Sequence, residues 1–311
     1  MRIIFFGSPS TAVPSLKALL EAGHSIPLII TQPDRPSGRG RKLKSCAVKK
    51  FAEKKNIPVL QPKKIRKDTE CLERLQKINP DINVVVAYGQ IIPSDIIYLP
   101  KYDSINIHFS YLPEYRGASP VQWALLNGEI YTGITLFRLN EKMDQGDILA
   151  QKKVSVRPQE NAQELEERLA EMGAHFLVET LAQINTLTLI PQDHNKATYA
   201  PLLNKEDGRI SWEKDAESIY NQIRAFTPWP SSFTFLDKTR IKIIKAKNIS
   251  QKTAKSADPG EIIDINEKGI KVCCGQNTQL LIEELQPENK KPMSAYSFSL
   301  GARIKPGDTF H

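Results

Sequence analysis

Strand-length apolar runs recur through the first part of this 311-residue chain, separated by stretches with helical spacing. Arg2–Phe6, Ile26–Thr31 and Ile82–Ala87 are the clearest of these runs, and Val59-Leu60, Ile105–His108 and Gly133–Leu139 are shorter or more alternating. Between the first two, Ala12, Leu16, Leu19 and Leu20 repeat at helical spacing until Gly23. Further on, Ala162–Ile184 reads as one long amphipathic helix. Strands too apolar to face water, each followed by a helix, predict an α/β fold with a mainly parallel, doubly wound sheet. Such sheets bind ligands at the carboxyl ends of their strands. His108 lies at one such end, and Ala87-Tyr88-Gly89 at another.

The first strand-to-helix turn, Gly7-Ser8-Pro9, lacks the Gly-x-Gly-x-x-Gly pattern. It is too short and stiff to cradle a dinucleotide pyrophosphate, so a nucleotide-linked oxidoreductase loses ground. After about Leu189 the helical periodicity stops, and Pro191–Asn204 is polar and irregular, like a linker. The remainder holds a helical stretch around Ala216–Phe226. Five β-like runs follow it: Ser232–Leu236, Ile241–Ala246, Glu261–Ile265, Gly269–Val272 and Leu280–Leu285. Five strands punctuated by turn residues predict a small OB-like β-barrel. The expected division is residues 1–189, a linker at 190–207 and residues 208–311.

Charge narrows the choice of partner. The net charge is +8, but the window from Asp34 to Asp68 alone holds thirteen Lys/Arg against three acids. Lys238–Lys255 adds seven basic residues and no acid. Clustered charge of one sign attracts a polyanion and speeds its arrival. No apolar run approaches a membrane span, and the opening apolar run is too short for a signal peptide, so a cytoplasmic protein is expected. The four cysteines (Cys46, Cys71, Cys273, Cys274) have no metal-binding spacing. Free thiols are the expectation, with neither disulfides nor a metal site.

One segment carries chemistry. In Ser104-Ile105-Asn106-Ile107-His108 polar residues alternate with apolar ones, which turns Asn106 and His108 to the same face of a strand. An amide beside an imidazole can hold a carbonyl oxygen and stabilise the charge it gains under attack. A carboxylate nearby could orient the imidazole and take up a proton. Asp144 is the candidate; Asp147, in the same segment, is read as a structural residue of the Gly146 turn.

Asn106-Ile107-His108-Phe109-Ser110-Tyr111-Leu112-Pro113, with Arg116-Gly117 behind it and Asp144-Gln145-Gly146-Asp147 further on, resembles the folate-dependent formyltransferases. Their pattern runs Asn-x-His-x-Ser-Leu-Leu-Pro, then Arg-Gly, then Asp-x-Gly-Asp; Tyr111 stands where Leu is usual. The resemblance implies an Rossmann-like N-terminal formyltransferase domain and Asn106, His108 and Asp144 as the catalytic residues. It also implies 10-formyltetrahydrofolate as co-substrate and direct amine attack through a tetrahedral intermediate. By the same resemblance Ser110, Tyr111, Leu112 and Pro113 belong to the formyl-folate site, and Tyr88, Gly89, Gln90 and Ile91 wall the pterin pocket, together with Phe137–Met143.

The basic segment Gln32–Leu43 resembles the insertion loop of those family members whose acceptor is methionyl initiator tRNA. Glu206–Trp212, Arg224–Pro230 and Lys305–Asp308 fit the same group. This implies that Arg39, with Arg41, Lys42 and Lys44, meets the acceptor end of the tRNA, and that the barrel binds tRNA. Glycines at 38 and 40 would let the backbone come close to the RNA. A monomer is expected. The competing readings are a formyltransferase acting on an amino sugar nucleotide and a non-catalytic tRNA-binding protein. Retention of Asn106, His108 and Asp144 together argues against the second.

Overall fold

The computed structural model describes residues 1–37, 42–249 and 257–311. Two compact units emerge, and their segments interleave. One comprises Met1–Gly117, Tyr131–Ser155 and Glu166–Ala200; the other comprises Ala118–Ile130, Val156–Leu165 and Pro201–His311. This differs from the consecutive 1–189, 190–207 and 208–311 division, for identifiable reasons. Helix Pro120–Leu126 packs with helix Ala216–Ala225 in the second unit. Trp123 Nε1 donates to the Pro201 carbonyl (2.9 Å), and the Tyr220 hydroxyl to that of Pro158 (3.2 Å). The stretch expected to be a linker is not free either. Tyr199–Ala200 pairs in parallel with Arg116–Gly117 within the first unit.

The first unit is built on seven strands: β1 (Arg2–Gly7), β2 (Ser25–Ile30), β3 (Val59–Leu60), β4 (Ile82–Val86), β5 (Ser104–His108), β6 (Tyr131–Arg138) and β7 (Ile148–Ser155). Their order across the sheet is β7-β6-β5-β4-β1-β2-β3. The five strands β1 to β5 are parallel to their neighbours among themselves. β6 runs antiparallel to β5, and β7 antiparallel to β6. Ile3, Ile4, Phe5 and Phe6 are all 0% exposed, so both faces of β1 are covered. That is why the run could be continuously apolar.

The chain builds outward from β1 to β3 and then restarts at β4 on the other side of β1. This reversal places a crevice at the carboxyl ends of β1 and β4, where open α/β sheets bind ligands. Gln32 stitches that edge together. Its backbone N–H donates to Ser8 Oγ (3.0 Å) and its Nε2 to the Tyr88 carbonyl (3.1 Å). β5 is supported from behind by helix Ala162–Ala182, on which a methyl at Gly173 would lie only 3.5 Å from Ile107 and Phe109.

The second unit carries β8 (Ser232–Leu236), β9 (Thr239–Ile249), β10 (Ile262–Asn266), β11 (Gly269–Cys274), β12 (Thr278–Pro287) and β13 (Met293–Ser294). The order is β8-β9-β12-β11-β10, with β13 beside β12 and every pairing antiparallel. The two edge strands are joined by the chain's last residues. Ile262 N–H donates to the Asp308 carbonyl (2.8 Å) and Phe310 N–H to that of Gly260 (2.9 Å). His311 exchanges backbone hydrogen bonds with Phe235 (2.8 and 2.9 Å), which brings the sheet round on itself. Inside, Trp212 stacks on Phe310 with ring centroids 5.9 Å apart, and its Nε1 donates to Thr234 (2.9 Å). Trp229, by contrast, is 49% exposed.

Helix Ala216–Ala225 opens on Asp215, whose side chain accepts from the Ser218 N–H at 2.9 Å. That hydrogen bond, offset in part by desolvation, holds the Asp215 carboxyl below its ordinary range. A carboxyl lowered in the folded state stabilises the fold above its unfolded pKa of about 3.9, and the contribution is lost as pH falls through the folded value. Replacing Asp215 with Ala should cost about 1 kcal/mol at neutral pH. The difference from wild type should shrink in acid, read as denaturant midpoints at pH 7 and below pH ~4. A constant difference at all pH values would mean the charge of the cap is irrelevant.

All four cysteines are free, and burial pushes the Cys71 thiol up to about 11 and the Cys274 thiol to about 12. Among the described residues no helix is long and apolar enough to cross a membrane.

Candidate active site

β5 ends at His108, paired with β6 through Asn106 opposite Phe137 and His108 opposite Thr135. The pleat therefore turns both polar side chains to the same face, with His108 at the strand's carboxyl end. His108 is buried, with its ring edge-on to Phe137 at 6.4 Å between centroids. Its Nε2 lies 2.9 Å from the Tyr115 carbonyl. A carbonyl can only accept, so Nε2 carries the hydrogen and Nδ1 is the ring atom left for chemistry. Nδ1 faces Asp144 Oδ2 at 3.9 Å. That is too long for a hydrogen bond and close enough for strong attraction once the ring gains a proton. Asn106 is half-buried, and among the described residues its side chain has no hydrogen-bond partner.

Asp144 sits in the loop between β6 and β7 with φ +53°. An aspartate tolerates this left-handed geometry better than most residues. Its Oδ2 accepts from the Gly117 N–H at 2.8 Å, which holds the carboxylate toward His108. Gly146, two residues on, has no room for a Cβ, which would strike the Arg138 carbonyl. Arg138 N–H closes the loop on the Asp147 carbonyl (2.8 Å). Asp147 thus takes part in the loop through its backbone.

The Ser110–Pro113 turn is tied down mainly by its backbone. Thr135 Oγ1 donates to the Ser110 carbonyl (2.7 Å) and accepts from the Leu112 N–H (3.1 Å). Gln151 Nε2 donates to the Leu112 carbonyl (2.7 Å). Ser110 Oγ bonds the Glu114 carbonyl (2.6 Å), and both Ser110 and Leu112 are buried. Tyr111, the departure from the family pattern, is 39% exposed and packs its Cβ over Gly133.

A formyl transferase model matches residues 1–181, and a formyl transferase C-terminal domain model matches residues 202–303. The chain belongs to the formyl transferase family. It is 45% identical over 309 residues to the methionyl-tRNA formyltransferase of Geobacter metallireducens, covering 99% of this chain and 97% of that one. It is 44% identical to the enzyme of the same name from Alkaliphilus oremlandii, with 99% of each chain covered. Among solved structures, a sugar 3N-formyl transferase crystallised with dTDP and 5-N-formyl-THF superposes with a TM-score of 0.67 at 23% identity, over 94% of this chain and 99% of that one. HypX from Aquifex aeolicus in complex with tetrahydrofolic acid superposes with a TM-score of 0.66 at 16% identity, over 96% of this chain and 47% of that one. At those identities the two structures speak for the fold.

In this formyl transferase the other sequence-derived positions fall in different places. The Tyr88 ring is 2% exposed and packs edge-on against Phe6 at 5.5 Å, in a core cluster with Ile92 and Ile96. It faces the core instead of walling a pocket, and its pKa is pushed up by burial. What residues 87–91 offer at the sheet edge is backbone, exposed Gly89, and the Ile91 side chain, 60% exposed. Gln90 is spent on structure: its amide bonds the Pro62 carbonyl and the Ile65 N–H, both at 3.0 Å. Of Phe137–Met143, Phe137 is fully buried and Met143 is 68% exposed.

Arg39 and Arg41 lie outside the described residues. The segments flanking them form an antiparallel pair, Arg35–Ser37 with Lys42–Lys44, and Lys44 is exposed. The base of this pair is anchored. Asp34 Oδ2 accepts from Lys49 Nζ (2.7 Å) and its Oδ1 from Gln61 Nε2 (2.9 Å). The Lys49 hydrogen bond, ahead of that from Gln61, draws the Asp34 carboxyl below its ordinary range.

Sequence reasoning missed Gln192. It is buried in the stretch expected to be a linker and bonds the Asp144 and Gly146 carbonyls (3.0 and 2.7 Å). Nothing in Pro191-Gln192-Asp193 distinguishes it as a sequence; only the neighbouring Arg116-Gly117 motif, which it meets in space, carried a signal.

Proposed function

We propose that this chain is an enzyme that transfers the formyl group of 10-formyltetrahydrofolate to the free amino group of methionyl initiator tRNA, for translation initiation. One observation carries the reading. A buried imidazole faces an anchored carboxylate at the end of β5, and an amide without a partner among the described residues lies two positions before it on the same face of the strand. They occur in a chain similar along its whole length to enzymes named methionyl-tRNA formyltransferase. The residues present suit a formyl folate, because Asn106 has N–H groups to give and the 87–91 edge offers backbone to a flat, partly polar ring.

When bound, formyl folate supplies an electrophilic formyl carbon and a nitrogen leaving group. Asn106 donates to the formyl oxygen, which becomes negative as the amine adds. His108, with Nε2 held by Tyr115, works through Nδ1: once Nδ1 has taken up the amine's proton by way of Asp144, the imidazolium steadies that oxygen and hands the proton to the departing folate nitrogen. Asp144 receives the proton that the attacking amine gives up and stabilises the charged imidazole. The amine loses one proton, the folate nitrogen gains one, and one C–N bond replaces another. No covalent enzyme intermediate is needed.

The acceptor is a polyanion, which gives the basic window a purpose. Lys44 and Lys42, with Arg39 and Arg41, meet the tRNA acceptor end in this reading. RNA selection through an unpaired end suits an inserted loop better than a helix in a groove. The chain is taken to act as a monomer in the cytoplasm.

The test is formyl transfer from 10-formyltetrahydrofolate to methionyl initiator tRNA, with methionyl elongator tRNA and an amino sugar nucleotide in parallel. Preference for the initiator is expected. Transfer to the sugar alone would keep the chemistry of Asn106, His108 and Asp144 and remove the tRNA. Deleting residues 38–41 should collapse turnover on tRNA while folate binding persists. Undiminished turnover after that deletion would show that these residues do not read the acceptor.

A further inference from the structure

We propose that Gln192 is a positioning residue for formyl transfer: it holds the Asp144 loop so that the carboxylate faces His108, and Arg116 fixes which way round its amide points. The inference rests on the reading that Asp144 acts on His108.

Both ends of the Gln192 amide are used. Oε1 accepts from Arg116 Nε (3.1 Å) and from a terminal Arg116 nitrogen (2.6 Å). Nε2 donates to the carbonyls of Asp144 (3.0 Å) and Gly146 (2.7 Å). A guanidinium only donates, so the amide oxygen must face it and the NH₂ must face the carbonyls. Reversing the amide would oppose donors to donors and acceptors to acceptors.

Arg116 is itself 2% exposed, and among the described residues no carboxylate pairs with it. Its terminal nitrogen also meets His194 Nδ1 at 3.0 Å. A buried guanidinium served by neutral acceptors is costly unless its bonds are good, so its side chain has little freedom to release Gln192.

The consequence falls on Asp144. Its backbone is in the left-handed region, its own carbonyl is held by Gln192, and its carboxylate is held by the Gly117 N–H. Gly117 follows Arg116 directly, so the same short segment grips Asp144 at both ends. A neutral amide does this without placing a second negative charge beside the carboxylate. Glutamate at 192 would keep the acceptor for Arg116 but would set an oxygen against two carbonyl oxygens.

The test compares full-length wild type with Gln192→Glu, with Asp144→Asn as the reference for loss of the carboxylate. Two readouts are taken: the amide proton of Gly117 by NMR, and steady-state formyl transfer to methionyl initiator tRNA. In Gln192→Glu the Gly117 amide should move toward its position in Asp144→Asn. The turnover kcat should fall about 10²-fold, with KM for both substrates within about threefold. Part of the loss should be recovered at lower pH, where the new carboxyl takes a proton and regains one donor.

An unmoved Gly117 amide, or a loss confined to KM, overturns the proposal. Should Gln192→Glu fail to fold, Arg116→Lys tests the same clamp, with a loss of about tenfold expected in kcat. If neither variant folds, the pair holds the fold and not the carboxylate, which also overturns it. Should wild type formylate no acceptor, the functional reading fails, and the Gly117 amide still decides the clamp.

Discussion

Replacing His108 with Ala should reduce formyl transfer by about 10²–10³-fold in kcat while leaving the fold in place. The substitution removes a preorganised group whose Nε2 is tied to the Tyr115 carbonyl and whose Nδ1 faces Asp144 at 3.9 Å. Binding of formyl folate should weaken far less, because the loss falls on the charge that develops during transfer and not on the ground state. The imidazole is buried against Phe137, so Ala also leaves a small cavity, and the variant's denaturant midpoint must be measured alongside its turnover. A folded variant that keeps more than about a tenth of wild-type turnover would remove His108 from the chemistry.

A large loss of stability is expected from Gly117→Ala. Gly117 has φ +124°, and a Cβ there would lie 2.6 Å from the Ala200 carbonyl oxygen. The carbonyl belongs to the paired segment Tyr199–Ala200, so it cannot yield without breaking that pairing. Backbone strain and the lost pairing together should cost about 2–4 kcal/mol. Turnover should fall as well, because the Gly117 N–H holds the Asp144 carboxylate. Gly301 provides the contrast. It lies in helix Ala295–Ala302 with nothing within 4 Å of its missing Cβ. Ala there should be neutral or stabilising by up to about 1 kcal/mol. Equal denaturant midpoints for the two variants would show that the backbone at 117 relaxes.

What could be read in the sequence was what local pattern dictates. Ile82–Ala87 and Arg2–Phe6 announced buried strands because a two-faced parallel strand has no polar side to show. Ala162–Ile184 announced a helix, which runs Ala162–Ala182. Asn106 and His108 were legible because alternation on a strand places both on one side. Tyr88 was misjudged because the chain turns after β4, at Ala87 with φ +47°, and alternation no longer says which way a side chain points. The short pairs 35–37 with 42–44 and 116–117 with 199–200 are too brief and too polar to show a period. Gln192 was invisible for a different reason. Its importance comes from partners 46 to 76 residues away, and no local pattern encodes them.

The interleaving of the two units sets an order of events during synthesis. Helix Pro120–Leu126 leaves the ribosome long before Ala216–Ala225, the helix it packs against. For that interval it lacks the helix it packs against, and Pro158 lacks the Tyr220 hydroxyl that donates to its carbonyl. The first unit, meanwhile, is complete once Ala200 has emerged. The nascent chain therefore passes through a stage in which the sheet carrying Asn106 and His108 can form while two segments of the second unit wait for their partners. That stage, and not the finished molecule, is where a chaperone or a protease would find its opening.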